Sequence, residues 1–318
     1  MTLAKPTARF PVIVGPTAGG KSALAVAVAH ELAKLGRFAE IVTADSIQIY
    51  RGLDIGSAKP TLAERAGVPH HIIDLVDPDG APFTVAHWLR EAERVIADIQ
   101  ARGGVPIVVG GTHLYVKAFL DGMFEGPGTD EVLREELRAR GLPALREELE
   151  RVDPAAAARI HPNDERRTIR ALEVFRLTGA AISSRQEQWD KGRPSREDCV
   201  LIGLDWPSEL INPRINQRVR DMVTLGLVEE VRSLHAAGRL GSQAREALGY
   251  KQILAHLQGR SSLTEAIEKV KIETRRFGKN QRTWLKRLRT TPGSVWIDTN
   301  ETPADRWPLI VLQAIGLS

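Results

Sequence analysis

A parallel α/β sheet with helices on both faces is what this sequence predicts, and three observations carry that expectation. The β-branched run Pro11 to Val14 ends at Gly15, and strong helix formers follow from Lys21 to Leu35, giving strand, glycine turn and helix in succession. Further short apolar runs then alternate with helical periodicity, the pattern of a parallel, doubly wound sheet. The β signal fades after Gly111 and returns only at Cys199. At 318 residues, and about 150 residues per domain, the chain should hold two domains. Its 42% hydrophobic and 26% charged residues match ordinary globular usage, which excludes a disordered, collagenous or disulfide-scaffold protein.

After the first strand and helix, which Gly36 stops, Glu40 to Ala44 reads as a second buried strand and His71 to Val76 as a third. The amphipathic stretch Val85 to Arg102 precedes a fourth strand, Pro106 to Val109. Asp130 to Arg151 and Asp164 to Leu177 then read as charged helices, flanked by the Gly- and Pro-bearing loops Glu125 to Thr129 and Asp190 to Ser195. Cys199 to Asp205 returns to strand character. Beyond it Asn212 to Leu225, Val228 to Ala237, Gly249 to Leu257 and Leu263 to Leu288 are helical in pattern, and the remaining tail carries no clear signal. Residues 1–125 and 199–318 are therefore expected to form the α/β core, and 126–198 an inserted helical subdomain.

The lone cysteine, Cys199, can form neither an internal disulfide nor a multi-cysteine zinc site, and it reads as a small core residue. Met1 to Phe10 has no apolar stretch of signal-peptide length, and no run of 18 apolar residues follows. A soluble, cytoplasmic protein is expected, acting as a monomer and without a membrane partner.

Chemistry concentrates first at Gly15, Pro16, Thr17, Ala18, Gly19, Gly20, Lys21 and Ser22, a complete P-loop pattern lying between strand and helix. Its glycines let backbone amides form a nest for phosphate oxygens, and the following helix adds its positive N-terminus. Lys21 would reach the terminal phosphates, and Ser22 would ligate Mg²⁺. The fourth strand ends Val108-Val109-Gly110-Gly111-Thr112 with no acid, where a hydrolase or kinase ordinarily carries one. A carboxylate falls instead at the end of the second strand, Asp45, at the edge where such sheets hold ligands. Asp45 could also cap the next turn, and Thr112 could cap the next helix. His70 and His71, adjacent before a strand, read as structural.

Between Glu268 and Arg289 nine basic residues face two acidic ones, a local +7 in a chain of net +4. Arg275, Lys279, Arg282 and Lys286 recur at helical spacing as a basic stripe. That is the electrostatic footprint expected for a phosphate backbone, set against the alternative of a solvated face.

Taken in order, Gly15 to Ser22, Asp45-Ser46-x-Gln48-x-Tyr50, Gly56-x-Ala58-Lys59-Pro60, Val109-Gly110-Gly111-Thr112-x-Leu114-Tyr115, Asn163-Asp164 with Arg167 and Arg170 to Glu173, Gly249-Tyr250-Lys251, and Thr274 to Arg276 with Lys279, Gln281 and Thr283-Trp284 resemble the bacterial tRNA dimethylallyltransferase family. The resemblance covers about Pro11 to Arg287. It implies an α/β fold, a P-loop NTPase-like parallel sheet flanked by helices with an inserted all-helical subdomain. It also implies Mg²⁺-dependent transfer of a dimethylallyl group from dimethylallyl diphosphate to the N6 amine of the adenosine just 3′ of the anticodon, with diphosphate released. Asp45 and Thr112 become the catalytic candidates. The loop residues together with Arg218, which lies four residues after Arg214 on one helix face, become the diphosphate site. Asp45, Ser46, Ile47, Gln48, Thr112, Arg166, Arg167, Arg170 and the basic stripe become the tRNA contacts. The sequence departs from the family at Gly19, where Ser is usual, and at Phe277, Gly278, Asn280 and Leu285, where Tyr, Ala, Arg and Phe are usual. Gly278 should weaken its helix by about 1 kcal/mol relative to Ala. Rival readings are a P-loop kinase, which the missing strand-end acid disfavours, a prenyltransferase acting on free adenylate, for which the stripe would be superfluous, and an RNA-binding regulator.

Overall fold

The computed structural model describes residues 9–122, 126–184 and 196–317, and these divide into two compact units, 1–118 with 195–318 and 119–194. Glu125 and residues 185–195, which include the second expected boundary loop, lie outside the described residues.

The first unit is built on six parallel strands in the order β3-β2-β4-β1-β5-β6, namely β1 Phe10–Val14, β2 Ala39–Ala44, β3 His70–His71, β4 Val105–Gly110, β5 Cys199–Asp205 and β6 Val295–Asp298. β1, β2 and β4 are buried along their whole length, which is why they read as continuous apolar runs rather than alternating ones. β1 pairs with β4 on one side and β5 on the other, so the loop leaving its C-terminal end emerges at the middle of the sheet. Ala44 and Gly110 are direct partners at the ends of β2 and β4, which brings the Asp45 turn beside the Gly-Gly turn.

The helices of this unit are α1 Lys21–Lys34, α2 Leu62–Arg65, α3 Val85–Ala101 and α4 His113–Asp121, with further helices after the insertion. α3 buries Trp88, Ala92, Val95, Ile96 and Ile99 on one face, and its Trp88 indole N–H donates to the Thr43 carbonyl at 2.8 Å. α1 and α3 follow the periodic signal closely.

β3 is shorter than expected. Instead of running to Val76 it stops at His71, because Ile72 (φ 58°) and Asp74 (φ 54°) turn left-handed. That turn delivers the Asp74 carboxylate to the ammonium of buried Lys59 at 2.5 Å, while the Leu75 amide donates to the Ile49 carbonyl at 2.7 Å. An ion pair and the 48–51 backbone thus replace the ladder.

Unit 119–194 contains α5 Glu131–Ala139, α6 Leu142–Val152, α7 Pro154–Arg159 and α8 Glu165–Thr178, packed around Leu137, Leu145, Leu149, Ile169 and Leu172. The expected single helix Asp130 to Arg151 is broken at Gly141, whose φ of 76° suits glycine and which caps a new helix with Pro143 in its first turn. Buried Asp153 holds the next junction, accepting from the Ala156 amide at 2.9 Å and from the Ser183 amide at 2.9 Å.

After the insertion come α9 Ser208–Thr224, α10 Leu227–Ala236, α11 Tyr250–Leu257, α12 Leu263–Leu288 and α13 Trp307–Ala314. Among the described residues no helix is long and apolar enough to cross a membrane.

Candidate active site

The P-loop occupies the turn from β1 to α1. Ala18 (φ 60°) and Gly20 (φ 85°) take left-handed backbone, and Gly20 caps α1 without any side-chain acceptor. Two loop amides are claimed internally, Gly19 N–H by the Pro16 carbonyl at 3.1 Å and Thr17 N–H by the Gln281 side-chain oxygen at 2.7 Å. Among the described residues no protein acceptor takes the amides of Ala18, Gly20, Lys21 or Ser22. Four donors at a helix N-terminus are thereby left for an anion.

Two cations and one carboxylate meet at this loop. Lys21, Arg218 and Asp45 line one cavity with Thr17, Ser22 and Gln281. Burial, with Arg218 as the second cause and against the pull of Asp45, lowers the Lys21 ammonium to about 8. Burial likewise lowers Arg218, whose guanidinium donates to the Ala58 carbonyl at 3.5 Å. Neither forms an ion pair among the described residues. Two desolvated cations that repel each other, with free amides alongside, suit a multiply charged anion.

Asp45 terminates β2. Its Oδ1 accepts from the amides of Ile47 at 2.8 Å and Gln48 at 3.2 Å, so the capping expectation holds for that oxygen. Oδ2 accepts no hydrogen bond among the described residues. Among the described residues the Thr112 hydroxyl bonds Ser46 rather than the first turn of α4. Its Oγ1 accepts from the Ser46 amide at 3.0 Å and lies 3.4 Å from Ser46 Oγ, while the Thr112 amide donates to the Ala44 carbonyl at 3.3 Å. Thr112 therefore orders the turn that carries Asp45. Gln48 is buried, its amide group donating to the carbonyls of Ser57 and Ala58. Ile47 is half-buried beside it.

Gly19 stands against Trp206, whose indole N–H donates to the Gly19 carbonyl at 3.0 Å. A Cβ at position 19 would lie 2.9 Å from the Pro16 oxygen and 3.1 Å from the indole nitrogen, so this loop closes tightly against a tryptophan. Arg214 braces the same loop, its Nε donating to the Ala18 carbonyl at 3.0 Å and its guanidinium 4.8 Å over the Trp206 ring. Gly278 is buried in α12, where a Cβ would make a tight contact 3.2 Å from Ile215 Cδ1.

Ser22, at the first turn of α1, makes no hydrogen bond among the described residues, which hold no cluster of three His, Cys, Asp or Glu suited to a metal. One hydroxyl with room for phosphate oxygens and water suits Mg²⁺, which is held through few protein ligands plus substrate phosphates.

His71 bonds Glu40 at 2.7 Å, as a structural histidine should. His70, in contrast, lines the cavity. Its Nδ1 meets the Val68 carbonyl at 2.8 Å, and its buried Nε2 has no partner among the described residues.

The basic stripe divides. Arg275 bonds Asn216, whereas Lys279, Arg282 and Lys286 line a cavity of about 650 Å³ with Arg289, Trp206 and Trp296. Arg282 donates to Ser208 Oγ at 3.0 Å. In the second unit Arg166 and Arg167 are exposed, the latter 3.4 Å from Asp164. Arg170 departs from the expected exposed trio, because it pairs with buried Glu173 at 2.5 Å and donates to the Pro127 and Gly128 carbonyls. Sequence reasoning read His70 as structural and passed over Trp206 and the bonds of Gln281. The contacts of Trp206 and Gln281 join residues 170 to 264 apart in the chain, and no local spacing announces them.

A family model described as IPP transferase matches residues 48–288, and one described as isopentenyl transferase matches residues 8–74. The tRNA dimethylallyltransferase of Anaeromyxobacter dehalogenans is 48% identical over 293 residues, covering 91% of this chain and 94% of its own. That of Geobacter sulfurreducens is 46% identical over 292 residues, covering 90% and 91%. Among solved structures, the tRNA isopentenylpyrophosphate transferase of Bacillus halodurans superposes with a TM-score of 0.70 at 38% identity, covering 97% of each chain. A eukaryotic dimethylallyltransferase acting on tRNA gives 0.75 at 26% identity, covering 92% of this chain and 75% of its own.

Proposed function

This chain belongs to the IPP transferase family, and on that premise we propose that it moves a dimethylallyl group from dimethylallyl diphosphate to the N6 amine of the tRNA adenosine just 3′ of the anticodon. It is a prenyltransferase acting on tRNA. The observation that carries the site assignment is the meeting in one cavity of Asp45 with Lys21 and Arg218, neither ion-paired among the described residues, beside four loop amides left without a protein acceptor.

In the transfer, the nitrogen lone pair forms a bond to the allylic carbon while that carbon's bond to oxygen breaks, its electron pair leaving with diphosphate. Charge grows on the leaving group, and Lys21, Arg218 and the amides of Ala18, Gly20, Lys21 and Ser22 are placed to stabilise it. Ser22 would hold Mg²⁺, which supplies further positive charge at the diphosphate. The amine must also lose a proton, and Asp45 Oδ2 is the free acceptor, with Oδ1 fixed by two amides and the turn held by Thr112. Thr112 is thus a positioning residue. Reaching a base within an anticodon loop requires its extrusion from the stack. The cavity lined by Lys279, Arg282 and Lys286, together with exposed Arg166 and Arg167, offers the cations for the RNA backbone.

Incubation with labelled dimethylallyl diphosphate and either total tRNA or free AMP tests this reading. Label in tRNA supports it, and label in AMP alone would replace tRNA by the free nucleotide.

A further inference from the structure

Gln281 is 2% exposed, and it belongs to α12 between Lys279 and Arg282. Its side-chain oxygen accepts from the Thr17 amide in the P-loop at 2.7 Å, and its nitrogen donates to the Gly111 carbonyl after β4 at 3.1 Å. One amide group thereby ties the diphosphate loop to the turn that carries Thr112, and through the 3.0 Å bond from the Ser46 amide to Thr112, to the Asp45 turn. The space for it is specific. A Cβ on Gly111 would lie 2.7 Å from the Gln281 nitrogen, so no larger residue can stand there without displacing it. Next to this turn, His113 stacks on Trp284 of α12 with ring centroids 5.8 Å apart. Leaving-group cradle, base turn and the helix that offers cations to RNA are joined at one side chain.

We propose that Gln281 is a positioning residue that couples occupation of α12 by tRNA to the P-loop and to Asp45. The inference rests on the assignment of α12 to RNA binding. A basic helix that RNA immobilises fixes the Gln281 backbone, and its amide then holds the Thr17 amide and the Gly111 carbonyl at the separation the transfer needs. By linkage, diphosphate must in turn tighten tRNA by the same factor.

The test is a thermodynamic cycle with inorganic diphosphate as probe, its affinity measured with and without saturating tRNA in the full-length protein. Gln281→Met keeps volume and burial while removing both hydrogen bonds. The parent should bind diphosphate at least about fivefold more tightly with tRNA present, within the usual range of such coupling. Gln281→Met should bring that ratio near one and lower the single-turnover rate tenfold or more, with each separate affinity within about twofold of the parent. Gln281→Glu supplies a second arm. It keeps the acceptor for Thr17 and loses donation to Gly111 until protonated, so its rate should rise relative to the parent as pH falls from 8 to 6. A parent ratio of one, a Met variant with the parent's ratio, or a Glu variant whose relative rate is flat with pH would overturn the proposal. Failure of the functional reading is separately visible, as a parent that prenylates no tRNA.

Discussion

The pH at which Lys21 loses its proton makes the electrostatic account of the loop testable. Burial and the Arg218 charge bring this ammonium to about 8 in the free protein, within reach of ordinary assays. A bound diphosphate stabilises the charged form, so it raises the value, and affinity must fall once the free protein starts to deprotonate. With the free value near 8, about nine-tenths of the protein carries the charge at pH 7 and about one-tenth at pH 9, so the dissociation constant should rise about tenfold over that interval. Dimethylallyl diphosphate suits the assay because a phosphate ester loses its last proton near pH ~6 and keeps its charge above pH 7. Calorimetric titration at half-unit steps would show the break. Lys21→Arg should abolish it, since a guanidinium stays charged throughout. Arg218→Met should move it upward by removing the second cause of the shift. The sign for folding is opposite. Above pH 8 the unfolded chain holds the lysine proton more tightly than the folded one, so this group makes the free protein more stable as pH rises toward 10.5. A dissociation constant that is flat from pH 7 to 9, or a break that survives in Lys21→Arg, would refute the assignment of Lys21 as the buried counter-charge.

Asp45→Asn keeps a carbonyl for the Ile47 and Gln48 amides and loses the base. Single-turnover rates should fall about 10² or more, with donor affinity nearly unchanged. Replacing Lys279, Arg282 and Lys286 by Gln together should weaken tRNA binding and reduce the slope of log affinity against log salt by about 2, at ~0.7 per lost single-strand contact. An unchanged slope makes this a solvated face. Glu173→Gln strips the charge from a fully buried carboxylate bonded to Arg134, Arg170 and the Asp130 amide, and should cost about 3 kcal/mol by denaturant unfolding, with the partly exposed arginines moderating the loss. Burial alone would raise the Glu173 value, but bonds from Arg134 and Arg170 outweigh it and hold it below the ordinary range. Its contribution is therefore present above the unfolded value near ~4.3 and disappears as pH falls through the folded one.

What could be read from the sequence was what depends on neighbours along the chain. The P-loop is a contiguous pattern whose spacing encodes its own backbone shape, and Asp45 followed because a strand end is a local event. Helix Asp130 to Arg151 was over-extended because charged periodicity continues on both sides of Gly141, and only the positive φ reveals the break. Strand His71 to Val76 was over-extended because the buried ammonium of Lys59 draws Asp74 out of line, a contact across fifteen residues. β6 has few residues and gains its identity by pairing with β5 ninety residues earlier, as the Ile202 to Val295 register shows. Arg170 matches a basic surface by spacing, yet Glu173 one turn along and buried takes its charge.

The absence of an acid after β4, which counted against a kinase in the sequence, has a steric cause in the fold. At Gly110 a Cβ would fall 2.0 Å from the Ala44 carbonyl oxygen, so the β2 backbone excludes a side chain there, and at Gly111 it would fall 2.7 Å from the Gln281 nitrogen and displace that side chain. The carboxylate stands on the neighbouring strand instead, one residue past Ala44. There two amides and the Thr112 hydroxyl fix its turn, and one oxygen is left free. An acid after β4 ordinarily serves the metal of a nucleotide. In the proposed reaction, an acid on β2 beside a glycine-packed β4 would leave the phosphate end of the site to Lys21, Arg218 and the loop amides, and the carboxylate to a proton. That division suits a reaction whose leaving group is diphosphate and whose nucleophile is a neutral amine.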